Sequence, residues 1–177
     1  MAKRQEFKVL RTYEDFELRE YLPCIIAEVR VPSQGSTETS TAFSKLFRYI
    51  SKGNKSSQEI AMTAPVITTQ KVDSSESAEW YVSFVMPSGS TFGRLPDPSD
   101  SQVKLREVDT EICIAKSFRG RANDELSRRV AKELRVSAST VNIALSDETR
   151  ICRFDPPFKP GFLQYNEIVI PAYLGAV

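Results

Sequence analysis

The sequence predicts an α+β fold, namely a distorted antiparallel β-barrel that is built from two repeated halves, each with a flanking α-helix. The main observation is an internal repeat. Residues 17–27 contain Glu-Leu-Arg-Glu followed by an apolar run, and residues 104–115 contain Lys-Leu-Arg-Glu followed by a similar run. An amphipathic pattern comes next in each half, at 41–50 and at 123–134. Because the order of elements recurs together with the short motif, we interpret the chain as two related halves.

Each half then closes with a short apolar strand that ends in proline. These strands are predicted at 82–87 and at 167–171. The stretches 80–85 and 112–118 are rich in β-branched and aromatic residues, which favours strands there as well. Both halves therefore have strands on either side of their helix.

The domain boundaries are predicted from the chain length and from a stretch of turn-forming residues. A chain of 177 residues is long enough for one well-buried core. The stretch 87–101 is rich in proline, glycine and serine and separates the halves. We predict a single domain over residues 1–177, with an internal pseudo-repeat of about 7–88 and 102–171.

The first helix is predicted at 41–50, where the Ser/Thr-rich stretch 36–41 offers several N-cap candidates. The second helix has a candidate N-cap in Asn123. Apolar residues recur at helical spacing in both, which predicts a buried stripe on each helix. These residues are Ala42, Phe43, Leu46, Phe47 and Ile50 in the first helix, and Leu126, Val130 and Leu134 in the second.

Two further stretches are predicted to be irregular. Residues 73–77 form a polar linker. Residues 155–162 contain three prolines, which remove hydrogen-bond donors and restrict φ, so they form neither a helix nor a central strand. This stiff segment carries two phenylalanines and one lysine.

The composition limits the chemistry. There is no histidine, which excludes a Ser-His-Asp triad, a Cys-His pair and a haem site with a proximal histidine. The net charge of +1 gives no general reason to expect a nucleic-acid partner. No signal peptide or membrane span is recognised, and three scattered cysteines suit a reducing compartment. We predict a soluble cytoplasmic protein, or a plastid protein if a transit peptide has been removed.

Three segments resemble one known family. The run Glu59-Ile60-Ala61-Met62-Thr63-Ala64-Pro65-Val66 is similar to the signature of the SOUL/haem-binding-protein family. Residues 154–160 and 166–168 resemble its C-terminal segment, and residues 13–19 resemble its opening strand. The resemblance covers about residues 7 to 171 and implies the same two-half barrel.

The resemblance also implies a ligand, which is haem or a related tetrapyrrole bound non-covalently on an apolar groove. It places basic residues at the propionates, on the first helix and on the proline-rich loop. These positions fall on Arg48 and Lys159, and a further position that is arginine in some relatives falls near Ser40 here. The implied site residues are Ser40, Phe43, Phe47, Arg48, Phe158, Lys159 and Phe162.

One branch of the family binds the iron through a histidine near the helix, but this chain has no histidine, and the other candidate ligands are weak. Cys24, Met62 and Tyr49 lie in or near the matched motifs. Each residue also has an ordinary structural role, as a small buried hydrophobe, a core filler or a packed ring. We expect no protein axial ligand, and hence similar binding of haem and metal-free porphyrin by a non-catalytic carrier or buffer. No metal site is predicted.

Two alternatives remain open at this stage. A small-molecule hydrolase or effector-binding domain would use a buried carboxylate, for which Glu167 and Glu59 are the candidates. A protein-interaction module would use the apolar stripe of the second helix. Protein partners are otherwise unknown.

Overall fold

The structure is a computed structural model that describes residues 2–72, 75 and 77–175. Asp73, Ser74 and Glu76 of the predicted linker lie outside these residues. The described part of the chain contains the helices α1 (Ser36–Ile50) and α2 (Asp124–Thr140) and a short 3-10 turn (Gly161–Leu163). Its strands are β1 (Lys3–Arg4), β2 (Phe7–Thr12), β3 (Glu17–Tyr21), β4 (Cys24–Val31), β5 (Thr63–Ala64), β6 (Val66–Val72), β7 (Ala78–Val85), β8 (Lys104–Val108), β9 (Glu111–Arg119), β10 (Ala144–Leu145), β11 (Thr149–Arg153) and β12 (Tyr165–Tyr173).

One curled antiparallel sheet dominates the molecule. Its strand order is β2-β3-β9-β12-β11-β6-β7-β4-β8, and β10 pairs with the end of β12. The short strand β1 pairs in parallel with β5. With one helix on each half of the sheet, the predicted α+β class and barrel-like architecture are confirmed.

The two halves use the same element order and are interlocked. The first half runs β3-β4-α1-β6-β7 and the second runs β8-β9-α2-β11-β12. The opening strand of each half pairs with the second strand of the other half, β3 with β9 and β8 with β4. The strands β6 and β11 join the halves at the centre. Each half therefore needs the other to complete its sheet.

The first helix begins five residues before the predicted start. Its N-cap is Gly35, which provides no side-chain hydrogen bond, so the predicted capping by residues 36–41 is wrong. The hydroxyls of Thr39, Thr41 and Ser44 instead donate to backbone carbonyls four residues earlier, within or just before the helix. Serine and threonine side chains satisfy themselves in this way inside a helix. The buried stripe is Ala42, Leu46, Tyr49 and Ile50.

The second helix begins where the sequence predicts. The side chain of Asn123 accepts a hydrogen bond from the backbone N–H of Leu126 at 2.9 Å, as an N-cap does. The helix continues six residues beyond the predicted end and buries Ser127, Val130, Leu134 and Ala138. None of the described helices is both long and apolar enough to cross a membrane.

The sheet has a core on each face. The face towards the helices buries one cluster beneath α1, including Leu46 and Phe84, and a second beneath α2, including Leu134 and Ile168. Successive residues of a strand point to opposite faces, so the residues that alternate with these line the concave face. That face holds a third cluster, which includes Tyr21, Cys113 and Cys152. All three cysteines are free thiols.

Candidate functional site

The outward side of α1 carries four of the predicted site residues, all exposed: Ser40, Phe43, Phe47 and Arg48. Phe43 and Phe47 are 37% and 49% exposed. Their rings are nearly parallel, with centroids 6.1 Å apart. Phe43 also meets the buried ring of Phe84 edge-on at 5.3 Å. The buried ring therefore supports a small aromatic surface that faces outward.

The loop between β11 and β12 carries the other three predicted site residues, which are Phe158, Lys159 and Phe162. It is irregular apart from its 3-10 turn, as predicted. Phe158 and Phe162 are 88% and 76% exposed. The loop is nevertheless well anchored, because the side chain of Gln164 donates to the Lys159 carbonyl at 2.9 Å. Asp155 accepts from the backbone N–H of Tyr165 at 2.7 Å. Two large rings are thus presented to solvent by a structured segment.

The two predicted cations differ in their surroundings. Lys159 lies 2.9 Å from Asp155, so its charge already has a partner. The Tyr165 N–H and Lys159 together hold the pKa of Asp155 below its ordinary value. Arg48 is exposed and forms no ion pair with any other described residue. Arg48 is therefore the freer of the two for a carboxylate.

The further predicted site position, Ser40, carries only a hydroxyl. Ser40 lies in an open depression of about 390 Å³ on α1 that is lined by serine and threonine side chains. A neutral hydroxyl can donate a hydrogen bond to a carboxylate but adds no charge. Arg48 and Lys159 are therefore the cationic part of the predicted site.

The residues weighed as iron ligands are held in structural roles. Tyr49 is buried, its hydroxyl donates to the Pro96 carbonyl at 2.7 Å, and burial raises its pKa to about 12. Burial and then Glu111 raise the pKa of the Cys24 thiol, which disfavours the thiolate that binds iron. Met62 packs against the core beneath α1. Within the described ranges, no three His, Cys, Asp or Glu side chains are grouped to hold a metal ion.

The two carboxylate candidates of the hydrolase alternative have different surroundings. Glu167 is buried on the concave face and pairs with both terminal nitrogens of Arg19 at 2.9 and 2.8 Å. Tyr165 donates to the same carboxylate at 2.8 Å. Three hydrogen-bond donors therefore fix the orientation of the Glu167 carboxylate. Glu59 is exposed on the surface.

The structure buries the surface of α2 on which the interaction alternative depends. Val130 and Leu134 are buried against the sheet, and Leu126 is half-buried beside them. The apolar stripe of α2 is therefore core and does not face a partner.

The structure contains a cavity that the sequence analysis missed. A cleft of about 600 Å³, which we call the interhelical cleft, runs along α2 towards Gln34 before α1. Its lining includes Trp80, Ser127, Arg128 and Arg135, and it includes none of the seven predicted site residues. The sequence signal that could have found it is the group of basic residues on α2, which includes Arg128, Lys132 and Arg135.

Comparisons with known proteins assign the family and identify solved structures with a similar fold. The family model described as SOUL heme-binding protein matches residues 2–171, nearly the whole chain. Among curated proteins, no sequence matches this chain.

Among solved structures, a hydrolase from Listeria innocua is similar, with a TM-score of 0.65, 14% identity and coverage of 93% of this chain and 94% of that one. The C-terminal domain of EcmrR gives a TM-score of 0.64 at 16% identity, covering 89% and 96%. A protein bound to tetraphenylphosphonium gives 0.56 at 5% identity, covering 90% and 94%. At these identities the likeness concerns the fold. The chain itself, through the family match over 2–171, belongs to the SOUL heme-binding protein family.

Proposed function

We propose that this protein binds haem or a related tetrapyrrole non-covalently, as a carrier or buffer and without catalysis. The observation that carries the proposal is the exposure of four phenylalanine rings, two on α1 and two on an anchored loop, in a chain of this family. Neighbouring exposed apolar groups, such as the rings of Phe43 and Phe47 with centroids 6.1 Å apart, mark binding surfaces in soluble proteins. A tetrapyrrole has the broad apolar faces that such rings contact.

The charged groups suit the acidic edge of the ligand. A tetrapyrrole carries its propionates on one side of the ring, and Arg48 has no competing ion pair among the described residues. Arginine can donate two parallel hydrogen bonds to a carboxylate, whereas lysine contributes a point charge. Lys159 would exchange or share its contact with Asp155. We therefore expect Arg48 to contribute more to affinity than Lys159.

The iron is expected to contribute little to affinity. Tyr49 is buried, the half-buried Cys24 has a raised thiol pKa, and no histidine exists in the chain. Contacts to the ring face and to the propionates are the same in haem and in metal-free porphyrin. We place this carrier in the cytoplasm, because its three free cysteines suit a reducing compartment.

The test is a parallel titration with ferric haem and protoporphyrin IX. Binding is followed by the Soret band and by quenching of Trp80, the single tryptophan. We expect similar affinities for both ligands. The variant Phe158→Ala/Phe162→Ala should bind about tenfold or more weakly, since each ring loses apolar contact area.

The matched control is Phe92→Ala, which removes a ring that is 46% exposed in the linker between the halves. It should bind as the wild type does. Failure of both ligands to bind, or equal losses in the loop variant and the control, would refute the proposed site. A marked preference for haem with a sharpened Soret band would show that a protein ligand reaches the iron.

A further inference from the structure

The floor of the interhelical cleft is a row of side chains on three neighbouring strands. Trp80 pairs with Gln70, and Gln70 pairs with Thr149, so the three lie side by side on the helix-facing side of the sheet. Ile151 follows two residues along the same strand as Thr149 and also lines the cleft. The floor is therefore partly aromatic and apolar, with an amide and a hydroxyl beside it.

The wall formed by α2 contains an unpartnered polar group. Ser127 lines the cleft, is 2% exposed, and its hydroxyl has no hydrogen-bond partner among the described residues. Burying a hydroxyl without a partner costs free energy, and native structures rarely leave one so. A ligand atom in the cleft would supply the missing partner.

The cleft is also positively charged. Arg128 and Lys132 line it, are exposed, and form no ion pair with a described residue. Asp124 is the carboxylate among the lining residues. These side chains give the wall of α2 more positive than negative charge, in a protein whose net charge is only +1.

Arg135 adds a third cation that is held in place. Its guanidinium donates to the Ser146 carbonyl at 3.0 Å and to the Thr149 hydroxyl at 2.9 Å. No carboxylate neutralises it at ion-pair distance within the described ranges. Burial lowers its pKa, and the charge of Asp147 offsets this only in part. A cation that is partly buried and lacks a counter-ion favours an incoming anion.

We propose that the interhelical cleft is a second binding site, separate from the tetrapyrrole surface, which takes an organic anion with a flat aromatic body. The aromatic body lies against Trp80 and Ile151. The carboxylate or sulfonate of the ligand meets Arg128, Lys132 and Arg135, and the Ser127 hydroxyl donates to it. A cleft of about 600 Å³ lies within the usual size of small-molecule sites.

The experiment uses two probes that share one aromatic skeleton. The anion is 8-anilinonaphthalene-1-sulfonate, and its uncharged counterpart is N-phenyl-1-naphthylamine. Energy transfer from Trp80, the single tryptophan, reports binding of each probe to the protein, and the variants locate the bound probe. We expect saturable transfer to the anion and an affinity for the uncharged probe that is about tenfold weaker, because it lacks charge-assisted hydrogen bonds.

Neighbouring arginines on α2 provide matched variants. Arg128→Gln should weaken binding of the anion about tenfold, whereas Arg129→Gln changes the same charge at an exposed position outside the cleft lining and should leave it unchanged. Ser127→Ala should weaken binding without lowering thermal stability, since it removes an unsatisfied hydroxyl. The loop variant Phe158→Ala/Phe162→Ala should bind the anion normally, which separates this site from the tetrapyrrole surface.

Three results would overturn the proposal. They are the absence of saturable transfer, equal affinity for the charged and uncharged probes, and equal losses in Arg128→Gln and Arg129→Gln. The last result would mean that the probe follows the general charge of α2. None of them bears on haem binding by α1 and the loop, which is measured separately.

Discussion

The two halves of the molecule contain the same Leu-Arg-Glu segment in corresponding strands, yet the arginines have different surroundings. In β3 the side chain of Arg19 is 7% exposed and forms a two-pronged contact with Glu167. In β8 the side chain of Arg106 is 46% exposed and lies 3.1 Å from Glu28. Burial by itself lowers the pKa of Arg19, but its hydrogen bonds to Glu167 reverse this and raise it above the ordinary value.

The difference comes from the neighbours of the two strands. β3 is covered on its outer side by β2, and the ring of Phe7 lies 4.0 Å from the Arg19 guanidinium. β8 is the last strand in the sheet order, with no described strand beyond it. The same residues are therefore interior in one half and at an edge in the other. Repeated sequence predicts repeated secondary structure, while the burial of a side chain depends on what covers it.

The largest expected effect is on the free energy of unfolding when the carboxylate that pairs with each arginine is replaced. Glu167→Gln removes the buried carboxylate charge beside Arg19 and leaves it only Glu17, whose side chain is 34% exposed, so the free energy of unfolding should fall by about 2 kcal/mol. Glu28→Gln removes the partner of the exposed Arg106 and should cost under about 1 kcal/mol. Urea unfolding of both variants measures the difference. Equal losses would show that the two arginines are equivalent, despite their different burial.

A smaller effect is expected at the helix starts, which also differ between the halves. Asn123→Ala removes the side-chain cap of α2 and should cost about 1 kcal/mol. Ser36→Ala changes the first residue of α1, whose N-cap is Gly35, and should cost under about 0.5 kcal/mol. Thermal unfolding of the two variants checks this. A substantial loss in Ser36→Ala would mean that its hydroxyl caps α1 after all.

The smallest effect concerns pH. The Ser137 hydroxyl and Lys116 hold the pKa of Asp15 below its ordinary value, despite some burial. Because the folded pKa is depressed, the stabilisation is present above the unfolded pKa and is lost as pH falls through the folded value. Asp15 lies two residues before β3. The corresponding position of the second half, two residues before β8, is occupied by Gln102, whose amide oxygen accepts from Lys45 and does not titrate.

Asp15→Asn should therefore reduce the loss of stability on acidification from about pH 5 to about pH 2, by less than about 1 kcal/mol because the site is exposed. Asp109→Asn, in the exposed turn between β8 and β9, is the matched control and should leave that loss unchanged. Urea unfolding at both pH values measures it. An identical acid response in Asp15→Asn and the wild type would contradict the assignment.

Local features of the sequence predicted much of the fold. Asn123 was recognised as a cap because an N-cap acts on backbone groups two or three residues away. The Ser/Thr-rich stretch at 36–41 gave a wrong prediction of the α1 cap, because its hydroxyls can bond within the helix as well as cap it. The end of α2 was placed too early, since Ala138, which is buried, lies beyond the recognised stripe.

The site was predictable only in part. The exposed phenylalanines of α1 and the loop came from a family resemblance, and their role as a tetrapyrrole surface stays a prediction. The interhelical cleft was missed because Trp80, Gln70 and Thr149 are distant in sequence and become neighbours only when β7, β6 and β11 pair.

Periodicity, turn residues and an internal repeat predicted both helices, several strands and the order of elements in each half, because these depend on interactions between residues close in the chain. The family came from three short motifs. The exchange of opening strands between halves, the burial of Arg19 and the charge of the interhelical cleft were not encoded in any local pattern. They arise when distant strands pair and helices cover the sheet, since desolvation and charge pairing are set by whichever groups the fold brings within a few ångströms.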